Sequence, residues 1–361
     1  MGATPVPAAQ IGRLAQEFEA SGWDGLAVGE AHGLLPDPYV VLGVAAAATT
    51  TLKVGTSVAV PLRHPLLAAD AMATVHALSG GRARFVIGRG DGAMKVLQRR
   101  PMPLEPFEDY LRRLQGYLSR EEVEIDGAVS TMSRLDDIDP SLHLPKPQVS
   151  VAATGPRMIE VAARWADGVD FSVGADIERL KRSIALAREA CRAAHRDPDS
   201  LSLGCYLQVA VVDGEAIRDA HAREAIRGLI VTHARFSGFE PAPSPDVGDD
   251  DHGRARQAVE VMEAVLTSAR GGVTRTSGGA PGELDFYPRG ALDEEYLDQF
   301  GVIGTAEYCA ERLQEILELG LTRIYIGTRG VGVDLDEVNT NRIGREVLSL
   351  LAGRSDLAKF K

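Results

Sequence analysis

The chain has 361 residues, room for one large barrel or two average domains, and 39 Lys and Arg against 51 Asp and Glu give a formal charge of −12. That acidity argues against nucleic acid or an acidic membrane as a partner. It also argues mildly against a polyanionic cofactor unless basic groups gather locally. With 45% apolar and 5% aromatic residues, no signal peptide and no apolar run long enough to span a membrane, the composition suits a cytoplasmic α/β protein.

Residues 1–7 carry prolines and no strand pattern. Ile11, Leu14, Ala15 and Phe18 share one face of a helix predicted over 8–21, which Gly22-Trp23-Asp24 ends. A strand over 25–29 follows, with Glu30-Ala31-His32 at its carboxyl end. A helix over 37–50 and a strand over 52–60 come next. Pro61-Leu62-Arg63-His64-Pro65 then leads into a helix over 66–78, where Leu66, Leu67, Met72, Val75 and Leu78 recur at helical spacing. Gly80 and Gly81 close it, and residues 83–87 read as a short buried strand.

Further on, 91–106 reads as loop, 107–118 as helix and 121–144 as an irregular surface excursion. Strands over 148–153, 169–173 and 201–212 alternate with helices over 156–165, 176–194 and 215–233. Residues 236–251 shift to Pro, Gly, Ser and Asp and read as loop, 253–269 as helix and 271–282 as a flexible glycine-rich stretch. A helix over 305–318, a strand over 323–327 and a helix over 335–351 complete the chain. The alternation predicts parallel βα units. Seven strands, near residues 25, 54, 84, 149, 169, 205 and 324, fall one short of a closed (β/α)8 barrel.

The stretch Leu78-Ser-Gly-Gly-Arg-Ala-Arg-Phe-Val-Ile-Gly-Arg-Gly-Asp-Gly92 organises the rest. Three of its five glycines, Gly88, Gly90 and Gly92, stand just past a strand, where ligands sit in parallel α/β folds, and let a flat ring or a phosphate approach the backbone. Alone the motif is weak. The strand ending Thr56-Ser57-Val58, the Arg63-His64-Pro65 turn, the LSGGR turn and the GRGDG strand end come in an order that resembles the bacterial-luciferase-like flavin and deazaflavin oxidoreductases.

That resemblance implies a single (β/α)8 barrel of TIM type over 1–361, with an atypical or missing first strand and an insertion at about 236–300. For the first strand, a start upstream, a poor substitute at 3–6 and a lost strand all stay open. The cofactor would lie across the carboxyl ends of the strands. Ser57-Val58 would form a non-prolyl cis peptide beneath the ring. Asp91, Gly92, Ala93 and Lys95 would run along the ribityl chain and phosphate. Thr154, Gly155, Pro156 and Arg157 resemble the segment that holds phosphate in the deazaflavin branch; here Thr154 can cap the helix and Pro156 suits its first turn.

Glu30 and His32 match, one residue late for the histidine, the acidic and basic pair near the reacting edge, and histidine is the natural proton donor near neutral pH. Relatives that act on glucose 6-phosphate carry a glutamate after the glycines, where this chain has Ala93 and Met94. The branch similar to methylenetetrahydromethanopterin reductases implies coenzyme F420 and hydride transfer with a small organic substrate. An FMN-dependent monooxygenase and a non-catalytic cofactor-binding relative are the alternatives. The expected partners are the substrate and a second copy of the chain, a homodimer.

The remaining residues have plainer readings. Cys191, Cys205 and Cys309 form no metal-ligand spacing and read as buried free thiols. Asp249, Asp250, Asp251 and His252 read as a solvated acidic tip and not a metal site. Trp23 and Trp165 are expected in the core, and His64 as a structural residue.

Overall fold

The computed structural model describes residues 8–33, 35–90, 93–132, 144–213, 298–299, 301–327 and 333–353. The expected helices over 215–233 and 253–269, the insertion at about 236–300 apart from 298–299, the acidic tip and the segment 3–6 lie outside them. The described strands are β1 (Gly25–Val28), β2 (Lys53–Thr56), β3 (Ala83–Ile87), β4 (Val123–Ile125), β5 (Ala128–Ser130), β6 (Gln148–Ala153), β7 (Gly168–Phe171), β8 (Ser202–Val211), β9 (Gly301–Gly304) and β10 (Arg323–Gly327).

The path β1-β2-β3-β6-β7-β8-β10 is parallel throughout, and β9 pairs in parallel with the far end of β8. Its seven members are the seven expected strands. β9 is an addition, since Gly-Val-Ile-Gly is too short to show a period of its own. Among the described residues β1 and β10 are the two edges of this path, each paired on one side only.

Side chains reveal how far the sheet curls. Arg323 on β10 donates to Asp170 on β7 at 2.8 Å and to Ser150 on β6 at 2.9 Å. On a flat sheet β10 and β6 would stand about 14 Å apart, beyond an arginine's reach. The strands therefore wrap an interior, and the fold is a TIM-barrel-like α/β architecture. The outward faces of the strands and the covering helices make the core, with Phe85, Phe107, Tyr117 and Phe171 buried there.

The helices begin where short polar side chains can hold their free amides. Asp37 accepts from Tyr39 N at 3.0 Å, and Asp176 from Arg179 N at 2.6 Å. Gly80 and Gly81 take φ values of 61° and 89° after the helix Pro65–Leu78. They turn the chain so that Arg82 donates to Ala46 O at 3.0 Å, to Thr49 O at 2.9 Å and to Leu52 O. The LSGGR turn thus ties the end of the helix Pro38–Ala48 to β2 and β3.

Four readings need correction. The helix predicted over 107–118 spans Leu104–Leu118; Pro106 falls in its first turn, where a missing N–H costs nothing. The excursion at 121–144 contains the β4–β5 hairpin, whose Asp126 and Gly127 take φ values of 53° and 80°, the Asp-Gly turn that favours tight hairpins. The closing helix runs Val333–Arg342, widens to a π-turn at Ile343–Val347 and ends as Leu348–Gly353. Trp165 is not core: it is 36% exposed, and its Nε1 donates to Glu108 at 2.8 Å. Cys191, Cys205 and Cys309 are free and buried, as expected.

Candidate active site at the carboxyl ends of the strands

Because β1, β2, β3 and β6 are neighbours, the segments that follow them share one sector of the rim. Glu30, two residues past β1, has a fully buried carboxylate. Its N–H donates to Val58 O at 3.1 Å and its Oε2 accepts from Val60 N at 2.7 Å, which pins it across the end of β2. Its Oε1 stands 3.0 Å from His32 Nε2 and 3.5 Å from Arg63 Nε. Neither approach has hydrogen-bonding alignment, so three polar atoms are buried here without a completed bond. Buried polar atoms are nearly always satisfied, and exceptions concentrate at functional sites.

Arg63 was legible only as part of a turn motif, yet it links the site. It pairs with Asp37 and lies over the Tyr39 ring at 4.7 Å. Burial works against its charge, and Asp37, then Glu30 and Tyr39, more than offset that, leaving its pKa above the ordinary value. Burial first and the Glu30 carboxylate second push the hydroxyls of Tyr39 and Tyr110 up, so both stay neutral beside the acid. His64, by contrast, is structural: its Nδ1 accepts from Leu66 N at 3.2 Å at the start of the next helix.

The Ser57–Val58 peptide is cis, as expected. Beside it the interior is floored by small residues. A Cβ added at Gly88 would meet Val58 Cγ2 at 3.3 Å and Ala152 Cβ at 4.0 Å. Ser57, Val58 and Ala152 keep partial access to solvent, although they face the inside of the barrel. A flat ring fits such a floor, where larger side chains would fill the space.

On the next strand end, Gly155 and not Thr154 is the N-cap of the helix Pro156–Trp165, and no side chain caps it. The expected Thr154 cap is therefore wrong: the helix begins at Pro156, as expected, and the residue before it, Gly155, takes the cap position. Gly155 is extended, with φ −103° and ψ 162°, and a Cβ there would touch nothing within 4 Å. Arg157 is exposed beside it. Pro156 has no N–H, and Met158 N and Ile159 N both donate to Gly155 O at 3.1 Å, so the amide left in the first turn is that of Arg157, and with open space in front it suits an anion such as a phosphate.

β3 pairs with β6, so the segment after β3 runs beside Gly155. Asp91 and Gly92 lie outside the described residues. Ala93, 9% exposed, opens the short helix Ala93–Val96 that includes Lys95, and Arg99 and Arg100 follow it, exposed. Among the described residues no group of His, Cys, Asp or Glu could hold a metal ion, and no helix is long and apolar enough to cross a membrane. A groove of about 450 Å³ beside His76, Arg120 and Lys146 lies at the amino ends of β3 and β6, the end opposite to where barrel chemistry occurs.

The fold thus gathers these side chains at the carboxyl ends of the strands, the end at which barrel proteins bind their ligands. Residues 1–323 match the family model for the luciferase-like monooxygenases, and the chain belongs to that family. It is 26% identical to the 5,10-methylenetetrahydromethanopterin reductase of Methanolobus tindarius, over 95% of this chain and 96% of that protein. It is also similar to the solved coenzyme F420-dependent tetrahydromethanopterin reductase of Methanopyrus kandleri, with a TM-score of 0.68, 20% identity and 97% of each chain covered. The FMN complex of the oxygenating constituent of 3,6-diketocamphane monooxygenase from Pseudomonas putida matches with a TM-score of 0.59 and 17% identity, over 95% of this chain and 93% of that one. At these identities the two solved structures speak for the fold.

Proposed function

We propose that the chain transfers hydride between a deazaflavin of the coenzyme F420 type and a small organic substrate. The observation that carries this reading is the small-residue floor at Val58, Gly88 and Ala152 beside a buried carboxylate–histidine pair. Such a deazaflavin supplies a ring carbon that accepts or gives hydride and reacts poorly with oxygen; the protein contributes binding, orientation and proton handling.

In this reading Ser57 and Val58 support the underside of the ring. Gly155 and Pro156, with Thr154 before them and Arg157 after, hold the phosphate at the start of the helix. Asp91, Gly92 and Ala93 follow the ribityl chain, and Lys95 balances charge along it. His32, partly exposed and held against buried Glu30, takes or returns the proton that accompanies hydride transfer at a carbon bearing a hydroxyl. Glu30 orients His32 and balances its charge. The same floor would take FMN, and the FMN-bound structural neighbour favours that second reading. Titration of the protein with each cofactor separates them, as set out in the Discussion.

The barrel is read as one domain over 1–361, with an insertion at about 236–300. Three free thiols suit a reducing compartment such as the cytoplasm. The proposed macromolecular partner is a second copy of the chain. Val40 (67% exposed) and Val44 (46%) lie one turn apart on the helix Pro38–Ala48, and Leu67 (58%) and Leu78 (54%) on the helix packed beside it. A Cβ at Gly43 would meet Leu78 Cδ1 at 3.5 Å, so the two rows form one apolar face of the kind that marks an interface. Val40→Glu combined with Leu67→Glu should convert dimer to monomer in analytical ultracentrifugation at micromolar protein. A wild-type monomer, or a doubly substituted dimer, would remove this face from the account.

A further inference from the structure

β8 inverts the usual burial of a strand. Its outward residues Leu203, Cys205, Leu207 and Val209 are sealed under helices, whereas Tyr206 and Gln208, which face the barrel interior, keep partial access. Side chains two apart on a strand share a face, so the two stand one above the other toward the rim. The Tyr206 ring stacks on Tyr325 at 4.9 Å, with 19° between the planes. Its hydroxyl is buried and lies across the interior within reach of Ser57.

Gln208 sits one pleat higher. Its carboxamide lies across Gly327, where a Cβ would be 2.4 Å from Oε1 and 2.5 Å from Nε2. Glycine at 327 is what lets the amide lie there. Gln208 Oε1 is buried and lacks a partner. Two confined, neutral hydrogen-bonding groups therefore stand on one interior face of β8, the lower of them across from Ser57, the residue before Val58. A side-chain amide offers a donor and an acceptor side by side, which matches an adjacent C=O and N–H pair on a heterocycle edge.

We propose that Gln208, braced by Gly327, hydrogen-bonds the pyrimidinedione edge of the bound ring, with the Tyr206 hydroxyl below it, and so fixes which end of the ring points toward β8. The inference rests on the cofactor reading above and adds the ring's orientation to it. That edge is common to deazaflavin and FMN, whereas the opposite end carries a hydroxyl in one and methyls in the other. Gln208 should therefore matter equally for both cofactors, and also for lumiflavin, which has the ring and no phosphate.

The test is fluorescence titration of wild type, Gln208→Met and Gly327→Ala with deazaflavin, FMN and lumiflavin. Methionine keeps the length of the side chain and removes the hydrogen bonds; alanine at 327 displaces the amide without altering it. Both variants are expected to bind all three ligands about tenfold or more weakly. Affinity unchanged in both variants overturns the proposal alone. A loss confined to deazaflavin also overturns it, by placing Gln208 at the hydroxyl-bearing end. Wild type that binds none of the three overturns the cofactor reading and this proposal with it.

Discussion

Glu30→Gln is expected to slow hydride transfer about a hundredfold, the lower end of what a positioned acid or base contributes. Glutamine has the shape of glutamate and can still accept from Val60 N, so the rim keeps its backbone geometry. What goes is the charge 3.0 Å from His32 Nε2 and 3.5 Å from Arg63 Nε. His32 then has no anion to orient it or to balance a proton on the ring. Arg63 keeps Asp37, which limits the cost in stability to about 1 kcal/mol. Glu30→Ala differs: it leaves Val60 N without its acceptor in a buried site, at a cost of about 2 kcal/mol. Stopped-flow absorbance of the bound ring, with any donor that reduces it in wild type, measures the rate, and denaturant midpoints measure stability. A wild-type rate in folded Glu30→Gln would take this pair out of the chemistry.

Gly155→Asp should move affinity and stability in opposite directions. Gly155 has an extended backbone open to any residue, and a side chain there meets nothing within 4 Å. Aspartate is also a better N-cap than glycine by a few tenths of a kcal/mol. The folded protein should thus be as stable as wild type or slightly more so. The new carboxylate would occupy the place assigned to the phosphate. Two unit charges about 4 Å apart repel by about 4 kcal/mol at an effective dielectric of 20. Taking half of that for an open rim weakens the phosphorylated cofactor about thirtyfold. Lumiflavin, which has no phosphate, should bind unchanged. Undiminished affinity for the phosphorylated cofactor places the phosphate elsewhere.

The sequence made the scaffold legible because each strand and helix carried its own period and its own stop. The strand at Ala83–Ile87 and the helix at Pro156–Trp165 were readable to the residue. Local signals also misled: Thr154 looked like a cap because threonine commonly is one, but the chain enters its helix through Gly155. Glu30 and His32 were visible as a pair at a strand end, whereas Arg63 was not visible as their partner. Its contact with Glu30 depends on β1 and β2 lying side by side. Tyr206 and Gln208 read as alternating residues of a strand, and only the curl of the sheet places Tyr206 opposite Ser57. Side chains brought together by closure of a barrel leave no spacing in the chain to find.

The most direct test of the whole account is a titration of the purified protein with deazaflavin and with FMN, followed by fluorescence at low and high salt. The two rings share the floor, and their tails differ: the deazaflavin continues past the phosphate into an anionic chain. Lys95, Arg99, Arg100 and Arg157 belong to the segments after β3 and β6, two adjacent strands, and charge pairs at an exposed rim are screened over about 10 Å at 0.1 M salt. Deazaflavin is expected to bind more tightly than FMN at low salt, with a gap that narrows as salt rises and narrows as well on charge reversal at Lys95 and Arg157 together. Equal or tighter binding of FMN at low salt, with oxygen consumed by the reduced FMN complex, would contradict it and make the chain a monooxygenase.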